Sequence, residues 1–251
     1  VDTAIKIITD VVEPLPAKTV PFESTLGLCL AQDVQSDIDM PPFDRSAMDG
    51  YAVIAEDTSL APVELTVIED IAAGHLPTEK VLRGQASKIM TGAAVPAGAD
   101  AVVKFEETED LPSNNRVKIL RAIDKGKNIS KMGEDMKVGQ IVLHKGMSIR
   151  PQEVGILATV GKSRVAVFSA PKVGIISTGT ELVDVESTPS AAQIRNSNGY
   201  SLAAQARRLQ ADVALLGTVK DTKEEISRIM HRGLQKDILI LSGGVSMGEY
   251  D

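Results

Sequence analysis

The sequence predicts a multidomain fold of class α/β plus β, in which a parallel-sheet α/β unit is joined to a small all-β unit. Three observations predict it. From Lys172 onward, apolar strand-like runs alternate with amphipathic helical segments in the order β-α-β-α-β. Between Val53 and Asp124, short β-type runs are cut by turn signals at close spacing. The chain has 251 residues, 43% of them hydrophobic, which is enough for two or three buried cores rather than one.

Residues 2 to 12 put Ala4, Ile5, Ile8, Val11 and Val12 on one face, as a helix would. Asp2 and Thr3 are placed to cap this helix and Pro14 to end it. LGLCLAQDV, residues 26–34, reads as an apolar helix, followed by the proline-rich stretch MPPFDRSAMDGYAV at 40–53. The β-type runs are VELTVIED, KIMTG, AVVKFEET and RVKIL, with AAGHLP, AVPAGAD and SNN as turns. The run ends near Lys125-Gly126-Lys127-Asn128; Gly139-Gln140-Ile141-Val142-Leu143 and a helix-like Pro151–Thr159 follow. VGIIST, ADVALLGTV and DILILS are the three strands of the last unit. IRNSNGYSLAAQARRL is a capped helix with Leu202, Ala203, Ala206 and Leu209 on one side, and DTKEEISRIMHRGL is the second helix. Nearly continuous apolar strands imply a sheet covered on both faces.

Composition excludes several function classes. Acidic residues outnumber basic ones, 34 to 27, for a net charge of -7, and no basic run offers phosphates a clustered partner, so nucleic acid is not expected. No apolar run reaches the roughly 18 residues of a membrane helix, and no signal-peptide pattern opens the sequence given. The single cysteine, Cys29, excludes a disulfide framework and a cysteine zinc site within the chain; between two leucines it reads as a small core residue. The three histidines are far apart in sequence. Together these features suit a cytoplasmic enzyme or binding protein that works with carboxylates, hydroxyls and backbone groups.

In an open parallel sheet, ligands bind at the carboxyl ends of the strands. Three loops lie there: Ser177-Thr178-Gly179-Thr180-Glu181, the segment at Asp221, and Ser242 to Asp251. Gly243, Gly244 and Gly248 would let the backbone approach a phosphate, and the helix starting near Asn196-Ser197-Asn198 offers amides to an anion. Glu181, Asp221 and Asp251 could converge to hold Mg²⁺, which takes oxygen ligands. The plainer readings are that Gly243-Gly244 is a turn and Asp221 an N-cap. In the earlier stretch, Asp44, Ser46 and Asp49 either close turns or present polar groups on a loop stiffened by Pro41-Pro42. Thr91 is a strand residue or part of a site, and Glu134-Asp135 is a solvated turn or a pair of metal ligands.

Taken in order, PPFDRSAMDGYAV (41–53), KIMTGAAVPAGADAVV (88–103), GED (133–135), STGTEL (177–182), QIRNSN (193–198) and LSGGVSMGEYD (241–251) resemble the MoeA/gephyrin family, the molybdopterin molybdenumtransferases. The resemblance spans essentially the whole chain. It implies insertion of molybdate into adenylylated molybdopterin, with Mg²⁺ and release of AMP. It also implies an elongated mixed first domain (1–52 and 129–168), a small β domain inserted into it (53–128), and a parallel-sheet α/β domain of MogA/MoaB type (169–251). That last domain would be incomplete, and a C-terminal β domain absent from this sequence would follow. The resemblance further implies a homodimer, with MogA-type adenylyltransferase and molybdoenzyme maturation proteins as further partners.

By motif, Asp49, Thr91, Asp135, Glu181, Asp221 and Asp251 would be catalytic, with Glu181, Asp221 and Asp251 as metal ligands. Asp44, Ser46, Lys131, Thr178, Gly179, Asn198, Gly243, Gly244 and Ser246 would bind substrate. Two positions depart from the family pattern. Ser130 stands where many relatives have arginine, with Lys131 next to it as the expected substitute, and Arg45 stands where asparagine is common. Three neighbouring functions share parts of this pattern: a tungstate-using paralogue, a MogA-type molybdopterin adenylyltransferase, and a gephyrin-like scaffold without catalysis.

Overall fold

The computed structural model describes residues 1–220 and 222–243. The expectations for Asp221, Gly244, Ser246 and Asp251 lie outside the described residues. The chain divides into two compact units, one formed by Val1–Val34 with Leu143–Asp251 and the other by Gln35–Val142.

The chain opens with α1 (Asp2–Val11), β1 (Ala17–Pro21) and the short β2 (Val34–Gln35). α1 forms where its apolar spacing requires it, but its N-cap is Val1 with no side-chain cap, so Asp2 and Thr3 do not cap it. None of its residues is buried. The expected helix over Leu26–Val34 does not form. Leu30 is fully buried and bridges Val167, while Cys29 is exposed and bridges Ser148. The period there is two, as in extended chain, and it turns Cys29 away from the core.

The second unit contains β3 (Arg45–Ser46), β4 (Gly50–Val53), β5 (Val63–Ile71), β6 (Gln85–Ile89), β7 (Ala101–Lys104), β8 (Thr108–Leu111), β9 (Arg116–Ile119) and β10 (Ile129–Ser130). Six of these make one sheet in the order β7-β4-β6-β5-β9-β8. β5 and β6 pair in parallel and all other neighbours are antiparallel, because the chain between Ile71 and Gln85 is long enough to cross back to the same end. β4 is buried along its whole length, so both faces of the sheet are covered where β4 runs. Tyr51 and Val53 pack with Leu65, Val103, Val117 and Ile119 on one face. Ala52 packs with Ile71, Ile89, Ala93 and Val102 on the other. Gly50 begins this strand, and a Cβ there would lie 1.9 Å from the Val103 carbonyl oxygen, so only glycine fits. The last four residues of the proline-rich stretch are therefore core strand, and the loop hangs directly from it.

The chain re-enters the first unit near β11 (Ile141–Leu143), then forms α2 (Pro151–Thr159) and β12 (Arg164–Phe168), which pairs antiparallel with β1. α2 has proline in its first turn, and the Glu153 carboxylate accepts the Arg150 backbone N–H at 2.9 Å and its guanidinium at 2.6 and 3.0 Å. Glu153 is only 3% exposed, and this pairing holds its carboxyl down at about 2.

Next come β13 (Lys172–Thr178), the short strands β14 (Leu182–Val183) and β15 (Ile194–Arg195), α3 (Ser197–Arg208), β16 (Asp212–Val219), α4 (Lys223–Gly233) and β17 (Ile238–Ser242). β13 is central and parallel to both β16 and β17, as expected. α3 covers one face through Leu202, Ala203 and Ala206 against Val173 and Ile175. α4 covers the other, with Ile226 and Ile229 near Ile176 and Val219. Leu209 is 79% exposed and so does not join the packed side of α3, because the helix ends at Arg208. The N-cap of α4 is Thr222, whose hydroxyl accepts the Glu225 N–H at 3.4 Å; the capping role expected of Asp221 belongs to its neighbour.

Candidate functional site

The expected residues fall in two places, one in each unit. In the β-sheet unit, β3 is held between two other segments. It pairs antiparallel with β10, while the Ser46 N–H donates to the Ala93 carbonyl and the Gly92 N–H donates to the Ser46 carbonyl, at 2.9 and 2.8 Å. This fixes the loop before β4 against the Thr91 turn. The Asp49 carboxylate accepts the Thr91 backbone N–H at 2.6 Å and its hydroxyl at 2.7 Å. Those two bonds, the backbone one first, lower the Asp49 pKa, so this exposed carboxylate stays ionised and acts as an acceptor rather than a proton donor.

Asp44 accepts the Lys131 ammonium at 2.8 Å and the Met132 N–H at 2.9 Å, and both lower its pKa. Ser46 is 1% exposed, and its hydroxyl donates to the Met48 carbonyl, so it closes a turn. The Asp135 N–H donates to the Met40 carbonyl at 2.9 Å, and its carboxylate stands 3.8 Å from the Arg45 guanidinium. Asp44, Asp49, Thr91, Lys131 and Asp135 thus belong to one cluster of loops tied together by backbone pairing.

In the other unit, a cavity of about 170 Å³ opens at the carboxyl ends of β13 and β17 and at the start of α3. Thr178, Glu181, Asn198, Ser242 and Gly243 line it, with Arg195, Asn196 and Ser197. Thr178 is 5% exposed, and its Oγ1 has no hydrogen-bond partner among the described residues. Gly243 has φ +114, and a Cβ there would come within 2.5 Å of both Thr178 oxygens, so the strand end approaches the loop at backbone distance. The cavity combines a helix N-terminus, an arginine and small hydroxyl side chains, a donor set that suits an anion such as a phosphate. Glu181 is the one carboxylate lining it among the described residues.

Asn196 was not singled out from the sequence as a site residue, yet it organises this edge. Its side chain accepts the Gly199 N–H at 3.0 Å and the Ser177 hydroxyl at 3.1 Å, and donates to Thr218 at 3.1 Å. It therefore caps α3 and ties the helix to two strands. The Asn-Ser-Asn run marked a helix start, but which asparagine would be the cap was visible only from the fold. A second cavity, about 360 Å³, lies on the β-sheet unit among Tyr51, Glu69, Asp70, Lys88, Asp110 and Arg116, and none of the expected site residues lines it. The Tyr51 hydroxyl donates to Asp110 there, and burial first, then Asp110, raises its pKa above the ordinary range.

The chain thus joins a parallel α/β sheet unit to a mixed β-sheet unit. The family model of the MoeA N-terminal region (domain I and II) matches residues 1–161, and that of a probable molybdopterin binding domain matches residues 174–251. The chain belongs to the MoeA family. It is 39% identical over 256 residues to the molybdopterin molybdenumtransferase of Staphylococcus aureus strain Mu50, covering 100% of this chain and 61% of the relative. To the protein of that description from Staphylococcus epidermidis strain ATCC 35984 it is 38% identical over 235 residues, covering 92% and 56%. The crystal structure of the molybdopterin biosynthesis MoeA protein from Pyrococcus horikoshii OT3 superposes with a TM-score of 0.87 at 36% identity, over 98% of this chain and 66% of that one. The chain thus spans about three fifths of the length of these curated relatives.

Proposed function

We propose that this chain is the substrate-holding part of a molybdopterin molybdenumtransferase, which inserts molybdate into adenylylated molybdopterin and releases AMP. The observation that carries the reading is the cavity at the ends of β13 and β17, lined by Thr178, whose buried hydroxyl has no hydrogen-bond partner among the described residues. In this reading the phosphate groups of the substrate lie along Thr178, Gly179, Ser242, Gly243 and the first turn of α3. Gly244 and Ser246, outside the described residues, are assigned to the same phosphate groups in this reading. The anhydride bond between the two phosphates breaks, and an oxygen from molybdate or from water completes the phosphate of AMP. Within its own unit, the ionised Asp49, held by Thr91, offers fixed negative charge and a hydrogen-bond acceptor, with Asp135 in the same loop cluster.

Mg²⁺ belongs to this reading through Glu181, Asp221 and Asp251. Among the described residues no group of three carboxylates, histidines or cysteines is placed to share a metal ion. Glu181 alone falls short of the oxygen set that Mg²⁺ takes, so no step is routed through the metal. The finer architecture is also part of the proposal: a first domain of 1–52 and 129–168, an inserted β domain of 53–128, and an α/β domain of 169–251 continued in a longer protein by a further β domain. A cytoplasmic homodimer is proposed with it, working beside a MogA-type adenylyltransferase and molybdoenzyme maturation proteins. The apolar face of α1, which has no buried residue among the described ones, supports the dimer.

The test is AMP release by the full-length protein from adenylylated molybdopterin with Mg²⁺, with and without molybdate, and with tungstate in parallel. Oxyanion-dependent release is expected, falling by about a hundredfold or more in Asp49→Ala and Glu181→Ala while circular dichroism stays unchanged. Release that ignores the oxyanion, or that survives in both variants, would overturn the reading.

A further inference from the structure

We propose that Arg45, with the Ser130 hydroxyl beside it, rather than Lys131, receives the tetrahedral oxyanion in the loop cluster; this rests on the oxyanion-transferring reading above. Arg45 and Ser130 are directly opposite one another in the antiparallel β3–β10 pair. Residues so placed share a face, with Cβ atoms about 5 Å apart. The backbone of Arg45 is also bridged to Ala94, so the residue is fixed between the Thr91 turn and β10.

The two cations of the cluster differ in what they already hold. The Lys131 ammonium is 2.8 Å from Asp44, and Asp44 is further anchored by the Met132 N–H, while the Lys131 backbone N–H donates to Glu134 at 3.0 Å. Lys131 is therefore a structural pin. Releasing it to an anion would leave Asp44 without its counter-charge. Arg45 has a single charged neighbour, Asp135, at 3.8 Å, beyond hydrogen-bond length, and its guanidinium makes no hydrogen bond among the described residues. Its side chain is 39% exposed, and the Ser130 hydroxyl is likewise without a described partner.

A guanidinium presents two parallel N–H donors, which match two oxygens of a tetrahedral oxyanion; an ammonium gives a point charge without that fork. The adjacent hydroxyl supplies a third donor. The four carboxylates of the cluster, Asp44, Asp49, Glu134 and Asp135, would repel a dianion. An arginine among them whose guanidinium makes no hydrogen bond among the described residues is the group that lets one enter. The ligand class is a tetrahedral oxometalate dianion, molybdate or tungstate.

Two readouts test this in the full-length protein. The first is the molybdate concentration that half-saturates AMP release. Arg45→Gln is expected to raise it by about tenfold with little change in kcat, the loss of one charge-assisted fork. Arg45→Lys, which keeps the charge and loses the fork, should fall between. The second is equilibrium dialysis of molybdate against the same proteins, which does not depend on turnover. If the wild type releases no AMP, the functional reading fails, and dialysis still decides the role of Arg45: weaker retention by Arg45→Gln supports it. A value within about twofold of wild type for Arg45→Gln, no retention by the wild type, or a larger loss in Lys131→Met would overturn it. Should Arg45→Gln not fold, Arg45→Lys decides, and parity with wild type would count against the proposal.

Discussion

Glu153 shows how a single buried carboxylate ties stability to pH. Its carboxyl is held at about 2, against an ordinary 4.5, by hydrogen bonds from Arg150. A carboxylate with a lowered folded pKa contributes stability that is complete above its unfolded value and is lost as the pH falls through the folded one. Glu153→Gln is therefore expected to melt below wild type at neutral pH, and the gap should close between about pH 4.5 and 2. Thermal melts of the two proteins across that range check this; a gap that stays constant would mean that packing, rather than charge, sets the difference. Residue-scale pairing was also the least legible part of the sequence. Lys131 and Asp44 are 87 positions apart, and Arg45 and Ser130 face each other only because two short strands pair. Nothing in the local pattern of either segment encodes such partners.

At the scale of elements, local pattern served well wherever a period was long enough. The order of strands and helices after Lys172 and the limits of α2 follow from apolar spacing and from punctuation by proline and glycine. LGLCLAQDV failed because a short apolar run fits two periods, and the bridges of Cys29 and Leu30 settle on extended chain. The tail of the proline-rich stretch was similarly ambiguous: Gly50–Val53 alternates too little to reveal a strand that is buried on both faces. Gly50→Ala tests how strictly that strand is placed. With a Cβ 1.9 Å from the Val103 oxygen, the sheet has to part, and a loss of about 3 kcal/mol or more is expected in chemical denaturation. A loss below about 1 kcal/mol would show that the backbone can shift aside.

For the whole molecule, α1 bears on association. α1 is a ten-residue helix whose Ile5 and Ile8 are 54% and 58% exposed. Helices this short are marginal in water without packing, and an apolar face with no residue buried among the described ones suits the proposed dimer. Ile5→Glu with Ile8→Glu should shift the full-length protein from dimer to monomer in light scattering, with its circular dichroism retained because neither side chain is buried within the chain. A dimer that survives both changes would place the interface elsewhere. No helix among the described residues is long and apolar enough to cross a membrane.

The direct attachment of Asp49 to β4 bears on how this protein should age and fail with heat. The carboxylate sits one residue before a strand buried at every position and is tied to Thr91 two residues beyond β6. No slack segment separates this loop from the sheet, so it has no means of loosening while the core stays intact. Loss of the Asp49–Thr91 contact on warming should therefore coincide with cooperative melting of the sheet, and a preparation stored below that temperature should keep this contact for as long as it stays folded.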